Sequence, residues 1–327
     1  MTDEILNWGL LSTAHINRAL IAPLNASKRN RLRAVASRSQ STADSYAREW
    51  KIPRGLGSYE ALLNDPEIDV IYNSLPNHLH AEWTIKALEA GKHVLCEKPL
   101  ALTLAEVDAM VAASQRAGKV VTEAFMYRHH PQTLRVRELV DNGDLGKLQM
   151  IKGSFTFTLT RENDIRLKKE MGGGSIWDVG CYPISYARAV TGAEPLEVFG
   201  WQVSGPAGID ETFVGQMRFP DDVYAQIDCG FKSPSHAFIE IVGADGTLNI
   251  PVPFKPGKKE KFYLTRDGKT ETFEIKGQEL YLGEVEDMAD AILLDKPPRI
   301  SLDDSRGNVA AILALLESAQ SGRPVTL

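Results

Sequence analysis

The sequence predicts an α/β protein in two parts: a doubly wound parallel sheet over residues 1–123, then an α+β part over 124–327 built on a large, mostly antiparallel sheet. Three observations carry that prediction. Through about residue 125, short apolar runs of strand type alternate with helical stretches, the grammar of βα units with parallel strands. Beyond it, strand-type runs follow one another across short turns, which makes neighbours antiparallel. At 327 residues the chain also exceeds the ~100–200 residues usual for one domain.

In the first part, strands are expected at 5–12, 32–37, 70–74, 94–96 and 120–124. Helices are expected between and after them at 16–25, 42–50, 59–64, 81–90 and 104–117. Gly91 and Gly118 stand where a helix ends in the left-handed region, and Asn77 and Thr103 stand where N-caps belong. The second part opens with a helix at 133–141, a turn-rich Asn142-Gly143-Asp144-Leu145-Gly146, a strand at 148–160 and a helix at 176–190. Alternating runs follow at 196–203, 212–219, 224–231, 237–242, 247–250, 261–265 and 272–275, with Asp245-Gly246 and Asp267-Gly268 as hairpin signals. Helical stretches at 281–294 and 303–321 close the chain. There is no internal repeat or low-complexity tract.

Composition excludes several classes. Hydrophobic residues make up 43% and charged residues 24%, as in folded globular proteins. No apolar run approaches the ~20 residues that span a bilayer, and the acidic N-terminus reads directly into a strand with no leader pattern, so a cytoplasmic protein is expected. The net charge of −6, with Lys and Arg dispersed, offers no basic stripe for nucleic acid. Three cysteines, Cys96, Cys181 and Cys229, make neither a disulfide framework nor a zinc site, and no metal is expected.

The most informative stretch is 92–99, Lys-His-Val-Leu-Cys-Glu-Lys-Pro. A short strand runs into Glu97 and Lys98, which places a lysine at a strand's carboxyl end, where open α/β sheets bind ligands. Pro99 restricts the residue before it to extended backbone, so Lys98 sits on a stiff tether. The first strand-to-helix turn carries Ser12, Thr13, Ala14, His15 and Ile16. Ser12, Ala14 and Asn17 fall where a dinucleotide fingerprint has its three small residues, so this motif is degraded. After the second strand come Ser37, Arg38 and Ser39, with no acid before Asp44. An arginine there suits a ribose 2′-phosphate, which favours NADP over NAD. Ser74, Leu75, Pro76 and Asn77, after the third predicted strand, are expected along the same cofactor. His78 and His80 are two apart and point to different sides, so they are not read as metal ligands; His80 is taken as a cofactor- or substrate-side group.

In the second part, Gly172-Gly173-Gly174 precedes Ser175-Ile176-Trp177-Asp178-Val179-Gly180-Cys181-Tyr182. If a helix starts here, Asp178 and Tyr182 stand at i and i+4 on one face, and the glycines allow close approach to another surface, expected to be the nicotinamide ribose or the other domain. A tyrosine near a positive charge can take or return a proton in hydride chemistry, and Lys98 is the candidate for that charge. Taken singly, Tyr182 reads equally as a core aromatic near Tyr186, and Asp178 as a charge near a helix N-terminus. Their coincidence with Lys98 favours catalysis, with Asp178 positioning substrate. Tyr127, Arg128, His129 and Arg161 are further candidates to contact substrate; Glu123 and Arg166 stand beside them as lining or salt-bridge residues.

These residues together resemble a known family. Leu75-Pro76-Asn77-x-x-His80, Glu97-Lys98-Pro99, Glu123-Ala-Phe-Met-Tyr-Arg-His-His-Pro131 and Gly172-Gly-Gly-x-x-x-Asp178-x-Gly180-x-Tyr182 match, in order, the glucose–fructose oxidoreductase, inositol dehydrogenase and rhizopine-catabolism (Gfo/Idh/MocA) family. The chain is most similar to its branch of NADP-dependent D-xylose dehydrogenases and dimeric dihydrodiol dehydrogenases. Where the inositol-dehydrogenase branch ends its D-x-x-x-H motif in histidine, this chain has Tyr182. The resemblance implies a Rossmann domain followed by an α+β domain, Lys98 and Tyr182 as catalytic groups, and oxidation or reduction of a sugar or diol with NADP. It also implies a homodimer or higher oligomer through the second sheet. The competing activities are a sugar-nucleotide 3-ketoreductase, a dihydrodiol dehydrogenase and, more distantly, a non-catalytic NADP-binding regulator.

Overall fold

The computed structural model describes residues 4–327, which pack as two units. Among the described residues the first is 4–129 with Tyr281–Arg306; the second is His130–Leu280 with Gly307–Leu327.

The first unit holds six parallel strands: β1 (Leu6–Leu11), β2 (Asn30–Ala36), β3 (Arg54–Leu56), β4 (Val70–Asn73), β5 (His93–Glu97) and β6 (Val121–Ala124). Their order is β3-β2-β1-β4-β5-β6, so the winding reverses between β1 and β4, the place where such sheets open a ligand crevice. The helices are α1 (Asn17–Ala26), α2 (Gln40–Trp50), α3 (Tyr59–Leu63), α4 (His80–Glu89) and α5 (Leu104–Ala117). Leu10, Val35, Val70, Ile71, Val94 and Leu95 are fully buried, as in parallel strands covered on both faces. Thr103 and Glu106 form a capping box on α5, and Gly118 closes it at φ 62°. Asn77 differs from expectation: it opens a single 3-10 turn, Asn77–Leu79, behind Pro76, and α4 begins only at His80. The three-residue β3 was not foreseen, being too short and too polar to show a pattern.

The second unit begins with α6 (Pro131–Asp141) and β7 (Leu148–Thr156). A π-helical turn, Ile176–Gly180, runs into α7 (Cys181–Thr191). Then come β8 (Glu197–Ser204), β9 (Asp210–Arg218), β10 (Tyr224–Gly230), β11 (His236–Gly243), β12 (Thr247–Ile250), β13 (Lys259–Arg266) and β14 (Lys269–Lys276). With β15 (Val325–Thr326) they form one sheet of order β14-β13-β12-β11-β7-β10-β9-β8-β15. Within this sheet only β7 and β10 pair in parallel among the described residues. Asp267 and Gly268, at φ 50° and 70°, make the two-residue turn between β13 and β14, as Asp-Gly predicts. One sheet face is buried through Val198, Phe213, Met217, Ala225, Ile227 and Ile239. On the other, Trp201, Val203, Val214 and Tyr224 are exposed, Trp201 pairing with Val214 across β8 and β9.

The closing helices are α8 (Leu282–Leu293) and α9 (Leu302–Ser321). Val285, Met288 and Ala289 of α8 join the core of Trp8, Leu10, Leu24 and Val35. Arg29 fastens the helix from below, its Nε donating to Glu286 Oε2 at 2.9 Å and its Nη1 to Asp290 Oδ1 at 2.5 Å. Thus Tyr281–Arg306 returns to the first unit, where a single cut at 123/124 assigns it to the second. Helical periodicity shows that a helix has an apolar face and is silent on which sheet that face covers.

Candidate active site

The first unit holds its candidate residues on the turns at the carboxyl ends of β1, β2, β4 and β5. Ser12 follows β1 at φ 139°, a conformation that normally requires glycine. Hydrogen bonds hold it there. Its Oγ lies 2.9 Å from Ser74 Oγ and accepts the Ala14 N–H at 3.1 Å, and its carbonyl accepts from Asn17 Nδ2 at 2.7 Å. Ser74 Oγ in turn donates to Asn17 Oδ1 at 2.6 Å. Thr13, Ala14 and Ile16 stay half-buried and His15 exposed as the turn enters α1. At the end of β2, Ser37 is buried, while Arg38 and Ser39 are exposed. Burial raises the pKa of the Tyr59 hydroxyl, and the positive charge of Arg38 draws it back down. The tight polar turn at a helix N-terminus and the exposed arginine suit a phosphorylated dinucleotide.

Glu97, the last residue of β5, and Lys98 after it are half-buried, and the Lys98–Pro99 bond is cis. Tyr72 donates its hydroxyl proton to Glu97 Oε1. The Leu100 N–H donates at 2.8 Å to the buried carboxylate of Glu123 on β6. His80 departs from the cofactor-contact reading. It is 1% exposed, and its two ring nitrogens each lie 2.7 Å from a backbone carbonyl, of Pro99 and of Leu75, which leaves neither for a cofactor. Tyr127 and His129, expected to contact substrate, are buried at 0% and 6% exposure, and Tyr182 is buried to the same degree at 5%. Tyr127 packs edge-on to Phe125, and burial, with Arg299 and Arg128 nearby, lowers His129 to about 3, so it is neutral. Arg128 pairs with Asp304 at 3.0 Å.

In the second unit the three glycines fold the chain onto itself. Gly172 and Gly174 lie at φ 76° and 129°. A Cβ on Gly173 would meet the Arg166 carbonyl oxygen at 2.5 Å, and one on Gly174 would strike the Asp210 carboxylate. Their close approaches are therefore to this unit's own backbone and to Asp210, rather than the nicotinamide ribose envisaged from sequence. Asp210, 3% exposed, accepts the Ser175 hydroxyl at 2.6 Å and the Ile176 N–H at 2.7 Å, both on Oδ2. It thereby anchors the first turn of the segment that carries Asp178 and Tyr182. That segment is π-helical at Asp178, so the expected i, i+4 alignment on an α-helix does not apply; π-turns recur at functional sites. Asp178 accepts from Arg166 Nε at 2.6 Å, and Asp164 holds Arg166 from the other side at 3.2 Å. Arg161, a candidate to contact substrate, pairs with Asp164 at 3.1 Å with its side chain 74% exposed. The Tyr182 ring sits edge-on to Phe155, centroids 5.4 Å apart, and tilted to Phe254 at 5.5 Å.

Sequence reasoning missed the supports: Asp210, Asn17 as a turn-former, and Glu123 as the acceptor for Leu100. A lone Asp opening a strand carries no local signal, because its partners lie in a distant segment. Asn17 did carry one. It stood at a fingerprint position where a small residue was expected.

The comparisons with known proteins identify the family. A family described as "Oxidoreductase family, NAD-binding Rossmann fold" matches residues 6–125, and "GFO/IDH/MocA C-terminal domain" matches residues 133–249. The D-xylose 1-dehydrogenase (NADP(+)) 2 of Haloferax volcanii is 35% identical over 324 residues, covering 98% of this chain and 99% of that protein. The aldose-aldose oxidoreductase of Caulobacter crescentus, solved with glycerol, superposes with a TM-score of 0.93 at 25% identity, covering 99% of this chain and 100% of that one. A 3-ketoreductase of Actinomadura kijaniata, solved with NADP and TDP-benzene, superposes with a TM-score of 0.90 at 28% identity, covering 96% and 98%. With both of its domains matched and relatives aligned from end to end, the chain belongs to the GFO/IDH/MocA oxidoreductase family.

Proposed function

We propose that this oxidoreductase moves a hydride between NADP and a hydroxyl-bearing carbon of a small sugar of the D-xylose kind, or of a diol, with Tyr182, Lys98 and Asp178 as its catalytic groups. The observation that carries the reading is Lys98, a half-buried ammonium at the carboxyl end of β5 on a turn pinned by buried side chains. Support for the cofactor comes from exposed Arg38 at the end of β2 and from the NADP named for the Haloferax relative. Bound NADP supplies the two-electron acceptor or donor. Tyr182 takes the substrate hydroxyl proton on its phenolate oxygen during oxidation and returns it during reduction. A free phenol keeps its proton up to pH ~10, so the ammonium of Lys98 is assigned to favour the phenolate. Asp178, held by Arg166, accepts hydrogen bonds from sugar hydroxyls. Acid–base help of this kind is worth about 100- to 10,000-fold in rate.

The exposed Trp201, Val203, Val214 and Tyr224 on one sheet face support a homodimer through that face. Light scattering of the purified protein tests this, and a monomer at working concentration refutes it. Among the described residues no helix is long and apolar enough to cross a membrane. The likeness to the 3-ketoreductase solved with TDP-benzene keeps a nucleotide-sugar substrate as the second reading. Following the absorbance of reduced nicotinamide with aldopentoses, a dihydrodiol and a nucleotide sugar separates the readings. Turnover confined to the nucleotide sugar overturns the simple-sugar assignment. No turnover with any of them, alongside normal NADPH binding by Lys98→Met and Tyr182→Phe proteins, favours a cofactor-binding regulator.

A further inference from the structure

His80, the first residue of α4, is buried at 1% exposure with both ring nitrogens engaged. Nδ1 lies 2.7 Å from the Pro99 carbonyl oxygen, and Nε2 lies 2.7 Å from the Leu75 carbonyl oxygen. These carbonyls belong to the two turns that follow β5 and β4, the first carrying Lys98. The backbone of His80 is itself fixed. Its carbonyl accepts from Asn73 Nδ2 at 3.1 Å, and the same amide donates to Thr84 Oγ1 at 3.1 Å. On the far side of Pro99, the Leu100 N–H is held by Glu123 at 2.8 Å. The turn Lys98-Pro99-Leu100 is thus gripped at one carbonyl and one amide by buried side chains from outside β5.

We propose that His80 is a positioning residue for Lys98: its ring clasps the turn after β5 to the turn after β4, so one side chain sets both. The inference deepens the function above and rests on its assignment of Lys98. Proton counting limits the ring to one hydrogen bond at a time, the other turn being held by packing against the ring edge. Carbonyl oxygens only accept, and a neutral imidazole has one N–H, so one contact is a hydrogen bond and the other opposes lone pairs unless a second proton arrives. Burial lowers the pKa of His80, the Pro99 and Leu75 carbonyls pull it up, and the charges of Lys98 and His78 push it down, with a net lowering. The ring at neutral pH is therefore neutral, and it must favour one carbonyl. Lys98 faces it from the β5 turn and His78 from the preceding 3-10 turn.

Single substitutions separate the two halves of the clasp. The side-chain amide nitrogen of asparagine occupies nearly the position of imidazole Nδ1, and that of glutamine nearly that of Nε2. His80→Asn therefore keeps a donor for Pro99, His80→Gln keeps one for Leu75, and His80→Ala keeps neither. The full-length proteins, with Lys98→Met beside them, are compared for kcat and KM on the best sugar across pH, for NADPH binding by fluorescence, and for melting temperature. The expected result is a loss of kcat of about 10- to 100-fold in His80→Ala, the scale of a misplacement near 1 Å. The pH profile should shift with it, His80→Asn should recover most of the rate, and His80→Gln should recover NADPH binding but not rate. A structural role alone would make all three follow melting temperature, and that pattern overturns the proposal. Wild-type kcat in His80→Ala beside an inactive Lys98→Met overturns it while leaving the function standing. Wild-type kcat in Lys98→Met refutes the underlying assignment, and the proposal with it. Independently of turnover and of any variant's folding, 15N-edited spectra of the wild type should show a His80 ring N–H protected from exchange. Free exchange at both nitrogens overturns the clasp.

Discussion

Asp210 offers a test in which the sign of a pH effect is set by burial. Its carboxyl is 3% exposed, and burial raises its pKa to about 6, while the Ser175 hydroxyl and the Ile176 amide hold it from rising further. In the unfolded chain an aspartate titrates near 3.9. The folded state therefore takes up a proton first as pH falls, and wild type loses stability as pH rises from about 4 through 6. A displacement of roughly two units at 1.36 kcal/mol each corresponds to about 3 kcal/mol across that window. Asp210→Asn removes the titration and keeps an oxygen for Ser175 and Ile176. Chemical unfolding of both proteins at pH 4, 5, 6 and 7 should show the variant gaining on wild type by about 3 kcal/mol from the lowest pH to the highest. A constant difference across the series would refute the reasoning, because it would mean the carboxyl does not titrate there. Asp210→Ala goes further, leaving the buried Ile176 amide without this acceptor at about 1–3 kcal/mol and the Ser175 hydroxyl with only its weak contact to Cys229 Sγ at 3.6 Å. Because those two groups open the π-helical turn, the Ala variant should lose turnover before it loses the first unit's ability to bind NADPH.

Three other outcomes are expected. Arg38→Ala should weaken NADPH binding by about 10- to 100-fold and leave NADH nearly unchanged, the scale of a charged hydrogen bond, as fluorescence titration with each cofactor would show; equal losses for both would refute the 2′-phosphate role. Arg166→Ala removes the Nε donor of Asp178, so KM for the sugar should rise about tenfold with little change in NADPH binding, and an unchanged KM would sink the assignment of Asp178 to substrate. Glu284 is 1% exposed; among the described residues neither of its carboxylate oxygens has a hydrogen-bond partner, and burial followed by the charge of Glu97 raises its pKa well above the usual range. The folded state therefore keeps a proton that the unfolded chain releases above pH ~4.3, so wild type loses stability as pH rises from there and Glu284→Gln, which does not titrate, should gain on it steadily; chemical unfolding from pH 4 to 8 measures this, and parallel curves would refute it.

The winding of the first unit was legible because its strands are buried on both faces: Val70, Ile71, Val94 and Leu95 read as unbroken apolar runs between capped helices. Hairpins in the second unit were legible because Asp267-Gly268 is one of few pairs that accept positive φ at both positions. What escaped the sequence shares one physical character: it is interaction across distance. The π-helical form of Ile176–Gly180 depends on Asp210, the place of α8 depends on a core built from β1 and β2, and the grip on the Lys98 turn depends on His80 and Glu123. The first turn shows the point most sharply. A fingerprint of small residues reads a turn as a matter of steric permission, and by that standard Ser12 and Asn17 are defects. In the structure Ser12 takes the φ of 139° that glycine would take, and Asn17 and Ser74 supply the hydrogen bonds that keep it there. Ser74 lies 62 residues further along the chain from Ser12, so no local window could contain the explanation. The residues that break the glycine rule are the ones that build the turn. It follows that Asn17→Gly, which restores the small residue of the consensus, should weaken the turn rather than improve it, because it removes both bonds that tie Ser12 and Ser74 to the start of α1.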